Sequence, residues 1–192
     1  MPWHKNYDET EVVENAMKAF WNRGYEATSI DDLVEATGIN RGSMYHAFSG
    51  KRALFLRALR HYDQIYRAAH LGRIEAEYKP RDAIVAVFEA AARRPNQDTP
   101  PGCMLVNTAL ELSPHDPEIR RFIDRSMRAV ERFFFARIEA AKQEGSIGEA
   151  LDSRTTARTL LGLLLGLRVL VRANAPRSTT DTVASQAVGI LT

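Results

Sequence analysis

Apolar positions recur at three- and four-residue intervals along almost the whole chain, and no segment alternates with period two between hairpin turns. The pattern predicts an all-α protein of about nine helices. Asp8, with Glu11 three residues on, makes a capping-box arrangement; Val12, Val13, Ala16, Met17 and Phe20 then share one face of a first helix that Gly24 closes. Ser29 can accept a first-turn N–H of a second helix, Asp31 and Asp32 sit where the helix dipole favours carboxylates, and Gly38 ends it. A third helix runs from about Arg41 to Phe48. A fourth follows "SGK" and carries Leu54, Phe55, Ala58 and Leu59 through Tyr62 and Tyr66, with Gly72 as its candidate bend.

Pro80 suits the first turn of a fifth helix, "RDAIVAVFEAAARR", which Pro95 closes before the loop "PNQDTPP". A sixth begins near Gly102 and carries "CMLVNTALEL" to "SPHDP", where Pro114 and Pro117 forbid a continuous helix. A long seventh spans about Pro117 to Glu144, and the last two run from Asp152 to about Arg172 and from Ser178 to Ile190.

With 192 residues the chain can bury a proper core without covalent staples. A single cysteine, Cys103, rules out an internal disulfide, and the charged N-terminus "MPWHKNYDETE" lacks the apolar stretch of a secretory signal, so a reducing cytoplasm is expected. The most apolar stretch, "LLGLLLGLRVLV", is interrupted by Arg168 and is shorter than the roughly 20 apolar residues of a membrane span. Net charge is only +2, but its distribution is uneven: Ala36 to Tyr62 carries Arg41, Lys51, Arg52, Arg57 and Arg60 with no Asp or Glu.

Residues 28–48, "TSIDDLVEATGINRGSMYHAF", are two short helical patterns hinged on a glycine, the helix-turn-helix plan whose second helix enters the DNA major groove. At about 100° per residue, Met44 and Phe48 point to one side and anchor the second helix. Arg41, Ser43, Tyr45 and His46 are left to face outward. Arg is the commonest side chain for guanine recognition, while Lys, Ser, Tyr and helix N-termini hold phosphates.

The stretch "AFWNRGYEATSIDDLVEATGINRGSMYHAFSGKRALF" resembles the tetracycline repressor (TetR) family of bacterial one-component regulators, matching in the Gly-Tyr after helix one, the A-T-S cap, Gly38, Gly42, Tyr45, Phe48 and Lys51. The resemblance implies an N-terminal three-helix DNA-binding domain over 1–50 and a larger helical ligand-binding and dimerisation domain over 51–192. It also implies a repressor that leaves a palindromic double-stranded DNA operator when a small-molecule effector binds.

Position by position, Ser29 becomes a capping and phosphate-contacting hydroxyl. Asn40, Arg41, Gly42, Ser43, Tyr45 and His46 become the reading surface, and Lys51 a phosphate clamp. Ala47 departs from the family pattern, where His or Tyr is common, so a backbone contact is missing that Arg52 is placed to replace.

A two-fold dimer supplies the specificity that one short helix lacks, gripping half-sites about 34–36 Å apart or a multiple of that. The helix containing "LLGLLLGLRVL" is apolar over more than one face, Gly162 and Gly166 permit close approach of another helix, and the resemblance implies a homodimer through the last two helices.

For the effector, the candidates are Tyr62, Tyr66, Phe88, Cys103, Met104, Asn107, Met127 and Phe134, although apolar walls with a few polar groups describe a core equally well. Cys103 opens a helix, where a thiol pKa falls. It offers an alternative reading as a thiol-reactive or metal-responsive sensor, set against that of a small buried hydrophobe. His61, His70 and His115 fall on separate elements, and neither a metal site nor a cofactor is expected. No G-x-S-x-G, H-E-x-x-H or phosphate-binding glycine loop occurs, so an enzyme is not expected.

Overall fold

The computed structural model describes residues 7–93 and 99–191; the closure expected at Pro95 lies outside them. Among the described residues there is no strand. The elements are α1 (Glu9–Arg23), α2 (Ile30–Thr37), α3 (Arg41–Phe48), α4 (Lys51–Tyr62), a π-helical turn (Asp63–Ala68), α5 (Ala69–Glu77), α6 (Pro80–Ala92), α7 (Met104–Glu111), α8 (Pro117–Gln143), α9 (Ser153–Arg172) and α10 (Arg177–Gly189). The all-α expectation holds.

The irregularity expected at Gly72 lies earlier, at the π turn, and Gly72 itself sits inside α5. Along that turn Tyr66 stacks on Tyr62 at 5.3 Å, and Arg67 Nη2 donates to Asp63 Oδ2 at 2.8 Å. The last helix opens at Pro176 rather than Ser178, since the fixed φ of proline suits a helix start.

The chain divides into two compact units between Arg67 and Ala68. The division falls later than the boundary after residue 50 expected above, because α4 packs along α1 within the first unit. That unit is built on aromatic contacts. Phe20 meets Phe55 edge-on at 5.0 Å, Tyr25 leans on Phe55 at 4.8 Å, and Trp21 is wedged against Tyr62 and Tyr66 at 4.9 and 5.4 Å. Asp8 caps α1 through the Thr10 N–H at 2.7 Å, and Gly24, at φ 89°, lets the chain turn away.

In the second unit, α6 packs on α8, α9 and α10, and α8 lies along α9. Phe88 and Phe134 stack at 5.9 Å, fully buried, each contributing about 2–3 kcal/mol by burial alone. Leu160, Leu164, Leu167 and Val171 form the buried stripe of α9 at helical spacing, with Gly162 and Gly166 exposed on another face. Gly102, at φ 82°, is pressed against α9 so closely that a Cβ there would lie 2.9 Å from the Arg172 Cβ.

Among the described residues no helix is long and apolar enough to cross a membrane. Nor do they contain a group of three His, Cys, Asp or Glu side chains able to hold a metal ion.

Candidate nucleic-acid interface

The helix pair α2–α3 is fixed at three points. At the first, the Ser29 Oγ accepts the Asp32 N–H at 3.0 Å and donates to Asp32 Oδ2 at 2.7 Å, while Asp32 Oδ2 also accepts the Ser29 N–H at 2.7 Å. This closes a capping box. Those Ser29 hydrogen bonds, followed by Arg23, hold the Asp32 carboxyl below its ordinary range. The hydroxyl proton of Ser29 is thus engaged within the capping box itself.

At the second point, Gly38 adopts φ 70° and ends α2. The third is Asn40, whose side-chain oxygen accepts the Ser43 N–H at 2.8 Å and so caps α3. Gly42 matters to that cap, because a Cβ there would approach Asn40 Oδ1 to 3.3 Å.

From this base α3 turns one face inward. Met44 is fully buried and Phe48 is 2 % exposed, and Leu33 of α2 and Ile39 of the turn are buried as well. Arg41, Gly42, Tyr45 and His46 are exposed, as their spacing suggests. Ser43 corrects the outward orientation expected for it: it is only 8 % exposed, on the side where Asn40 folds over its backbone. Ala47 is half-buried and offers no polar group.

Tyr45, 51 % exposed, lies over Gly50, whose φ of 108° is strained for any other residue, although a Cβ there would meet the ring at an ordinary 3.6 Å. Lys51 sits with its Nζ 4.3 Å from the Tyr25 ring centre and 3.5 Å from the Glu26 carbonyl oxygen, so its ammonium is held beside the turn between α1 and α2. Arg57 is structural: it covers the Phe48 ring and pairs with Glu9 at 3.1 Å.

One residue of this surface was read only as a helix-dipole partner. Asp31 Oδ1 accepts from Arg41 Nη2 at 2.5 Å, across the hinge. The spacing of ten residues gives no helical signal, and only the turn geometry brings the two side chains together.

The eight effector candidates are divided between the two units. Tyr62 and Tyr66 belong to the aromatic cluster of the first unit, and Phe88, Met104 and Phe134 are buried to 1 % exposure or less in the second. Cys103, Asn107 and Met127 are half-buried. A 730 Å³ groove between α6 and α10 is bordered by Phe88 alone among them, with Glu89, Arg93, Arg177 and Asp181 at its edges.

Two family models match the chain. That for bacterial regulatory proteins of the tetR family covers residues 12–58, and that for the tetracyclin repressor-like C-terminal domain covers residues 79–187. The chain is 34 % identical over 176 residues to the uncharacterised HTH-type transcriptional regulator YezE of Bacillus subtilis, covering 90 % of each chain. It is 31 % identical over 173 residues to the HTH-type transcriptional repressor ComR of Escherichia coli, covering 89 % of this chain and 82 % of that one.

Among solved structures, a cysteine mutant of the TetR family transcriptional regulator CifR, complexed with 26 bp double-strand operator DNA, superposes with a TM-score of 0.86. That match has 26 % identity and covers 99 % of this chain and 100 % of the other.

Proposed function

The chain belongs to the tetR family of bacterial regulatory proteins, and from that premise we propose that it is a homodimeric repressor whose α3 reads a palindromic operator and which an effector releases. The observation that carries this reading is the division of labour on α3: Met44 and Phe48 hold it down while Arg41, Gly42, Tyr45 and His46 stand free of the core. A helix of eight residues whose exposed face offers a guanidinium, a phenol and an imidazole suits a groove lined by base acceptors and flanked by phosphates. The relatives named repressors and the neighbour bound to operator DNA support the same assignment.

In this reading Arg41 contacts base edges, Tyr45 and His46 contact the DNA backbone or a thymine methyl, and Lys51 neutralises a phosphate. Ser29 and Asn40 act chiefly by holding α2 and α3 in place. Dimerisation runs through α9 and α10. Gly162 and Gly166 have open space around them, and Val169 is 42 % exposed, so α9 keeps a close-approach face for a second copy. The effector binds the second unit, where Asn107 and Met127 have surface to offer it. A chain that works on the chromosome in this way acts in the cytoplasm.

The test is a binding titration over a salt series on duplexes selected from a randomised pool. Affinity should fall steeply with salt, Arg41→Ala should flatten base preference, and Lys51→Ala should weaken all sequences evenly and reduce the salt slope by about 1. Binding unaffected by either substitution rules out α3 as the reader. A monomer by light scattering at micromolar concentration rules out the dimer.

A further inference from the structure

The Arg41–Asp31 pair lies on the surface assigned to DNA, and it is open: the side chains are 59 % and 81 % exposed. So exposed a pair contributes little to folding stability. Its position is what matters. Asp31 stands in the first turn of α2, Arg41 at the first position of α3, and the hydrogen bond spans the hinge from Nη2 to Oδ1 at 2.5 Å. The guanidinium has five N–H donors in a rigid plane, so this bond leaves most of its fork available for other acceptors.

We infer that Asp31 is a specificity-determining residue: it cancels the charge that Arg41 would otherwise lend to any phosphate, while orienting the guanidinium for a base edge. The inference rests on the DNA-reading role proposed for α3. A phosphate responds mainly to net charge, and toward a phosphate the pair is nearly neutral. A guanine edge responds to direction, and a guanidinium already held through one nitrogen presents its remaining donors along a fixed line. If Arg41 instead swung to the DNA backbone, it would leave Asp31 unpaired on a surface facing polyanion. Asp31 therefore weakens binding to arbitrary DNA more than binding to the operator, which raises the ratio between them.

The experiment uses the full chain, one duplex selected by the protein from a randomised pool and one unselected duplex of equal length, with fold checked by circular dichroism. Asp31→Asn should tighten binding to the unselected duplex several-fold at about 0.1 M salt and steepen the log–log salt slope by about one, the increment of one released counterion. The selected duplex should tighten less, so the specificity ratio falls. Asp31→Glu, which keeps the charge, should stay near wild type. In an Arg41→Ala background Asp31→Asn should have no effect on the ratio, since the two residues act as a unit.

Equal tightening on both duplexes, or the same shift in ratio without Arg41, would make Asp31 an ordinary surface charge and overturn the inference while leaving the reading of α3 intact. Unchanged binding in Asp31→Asn overturns it too. Failure of the wild-type chain to bind any duplex in a salt-dependent way overturns both.

Discussion

Tyr66 donates its hydroxyl proton to Glu14 Oε1 at 2.8 Å, tying the π turn to α1. His61 Nε2 lies 2.8 Å from the other oxygen of the same carboxylate. Tyr66→Phe keeps the stack on Tyr62 and the edge-on contact with Trp21 and removes only the hydrogen bond, so it should cost about 1–2 kcal/mol in urea denaturation followed by circular dichroism. Tyr66→Ala loses both ring contacts as well and should cost more. Equal losses from the two would show that the hydroxyl, and not the ring, is what stabilises.

The same cluster sets a pH dependence at both ends. Burial pushes the Glu14 carboxyl up, but the hydrogen bonds from Tyr66 and His61 and the nearby Lys18 charge outweigh it, leaving it below its ordinary 4.5. The folded state therefore takes up that proton less readily than the unfolded one. The stabilisation is complete above the unfolded value and is lost as pH falls through the folded one.

Asp32, held below 3.8, adds a loss of the same sign. Tyr66 behaves oppositely. Burial, then the Glu14 bond, push its phenol up from 10.0 to about 12, so its contribution is intact below 10.0 and disappears as pH rises through about 12. Denaturation midpoints across pH should show both flanks, and Tyr66→Phe should lessen each of them.

Two glycines at positive φ should respond differently to alanine. Gly38, at φ 70°, has nothing within 4 Å of a built Cβ, so Gly38→Ala should cost only the left-handed penalty of about 1 kcal/mol. Gly102, at φ 82°, would put its Cβ 2.9 Å from the Arg172 Cβ and 3.2 Å from the Arg168 carbonyl oxygen. Strain and overpacking together should make Gly102→Ala cost about 3 kcal/mol. A smaller loss at Gly102 than at Gly38 in thermal unfolding would contradict this placement of the loop before α7.

Phe134 and Tyr45 separate stability from reading. Phe134→Ala empties a fully buried site and should cost about 3–5 kcal/mol. Tyr45→Ala, half exposed on α3, should change stability by about 0.5 kcal/mol and show its effect in DNA affinity instead. Measuring both quantities on both variants checks the pair.

Most of the fold was legible because local signals agreed with one another. Asp8, Ser29 and Asp152 cap the helices they were expected to open, although Asp8 accepts the Thr10 N–H in place of the Glu11 box, and the stripe from Leu160 to Val171 is buried as its periodicity assigns. The π turn was not legible: it accompanies the packing of Tyr62 and Tyr66 on Trp21, a tertiary event with no periodic trace, so attention fell on Gly72 instead. On α3 the wheel separated Met44 and Phe48 from Tyr45 and His46, but it misjudged Ser43, where the Asn40 cap draws the first turn inward. The pairing of Asp31 with Arg41 escaped notice because it crosses a hinge. For the effector site, aromatic and sulfur residues suit a pocket and a core alike, and only burial distinguishes Phe88 and Phe134 from Met127.

Trp21, set edge-on against the stacked rings of Tyr62 and Tyr66, gives the molecule its own optical reporter. The chain has two tryptophans, Trp3 and Trp21, both ahead of the division at Arg67, and Trp21 is the one among the described residues. At 3 % exposure and about 5 Å from Tyr62 and Tyr66, its indole should emit as a dry fluorophore fed by its neighbours. Emission therefore follows the opening of the DNA-reading unit, while ellipticity follows every helix. Recording both in one titration separates the melting of the two units without any label.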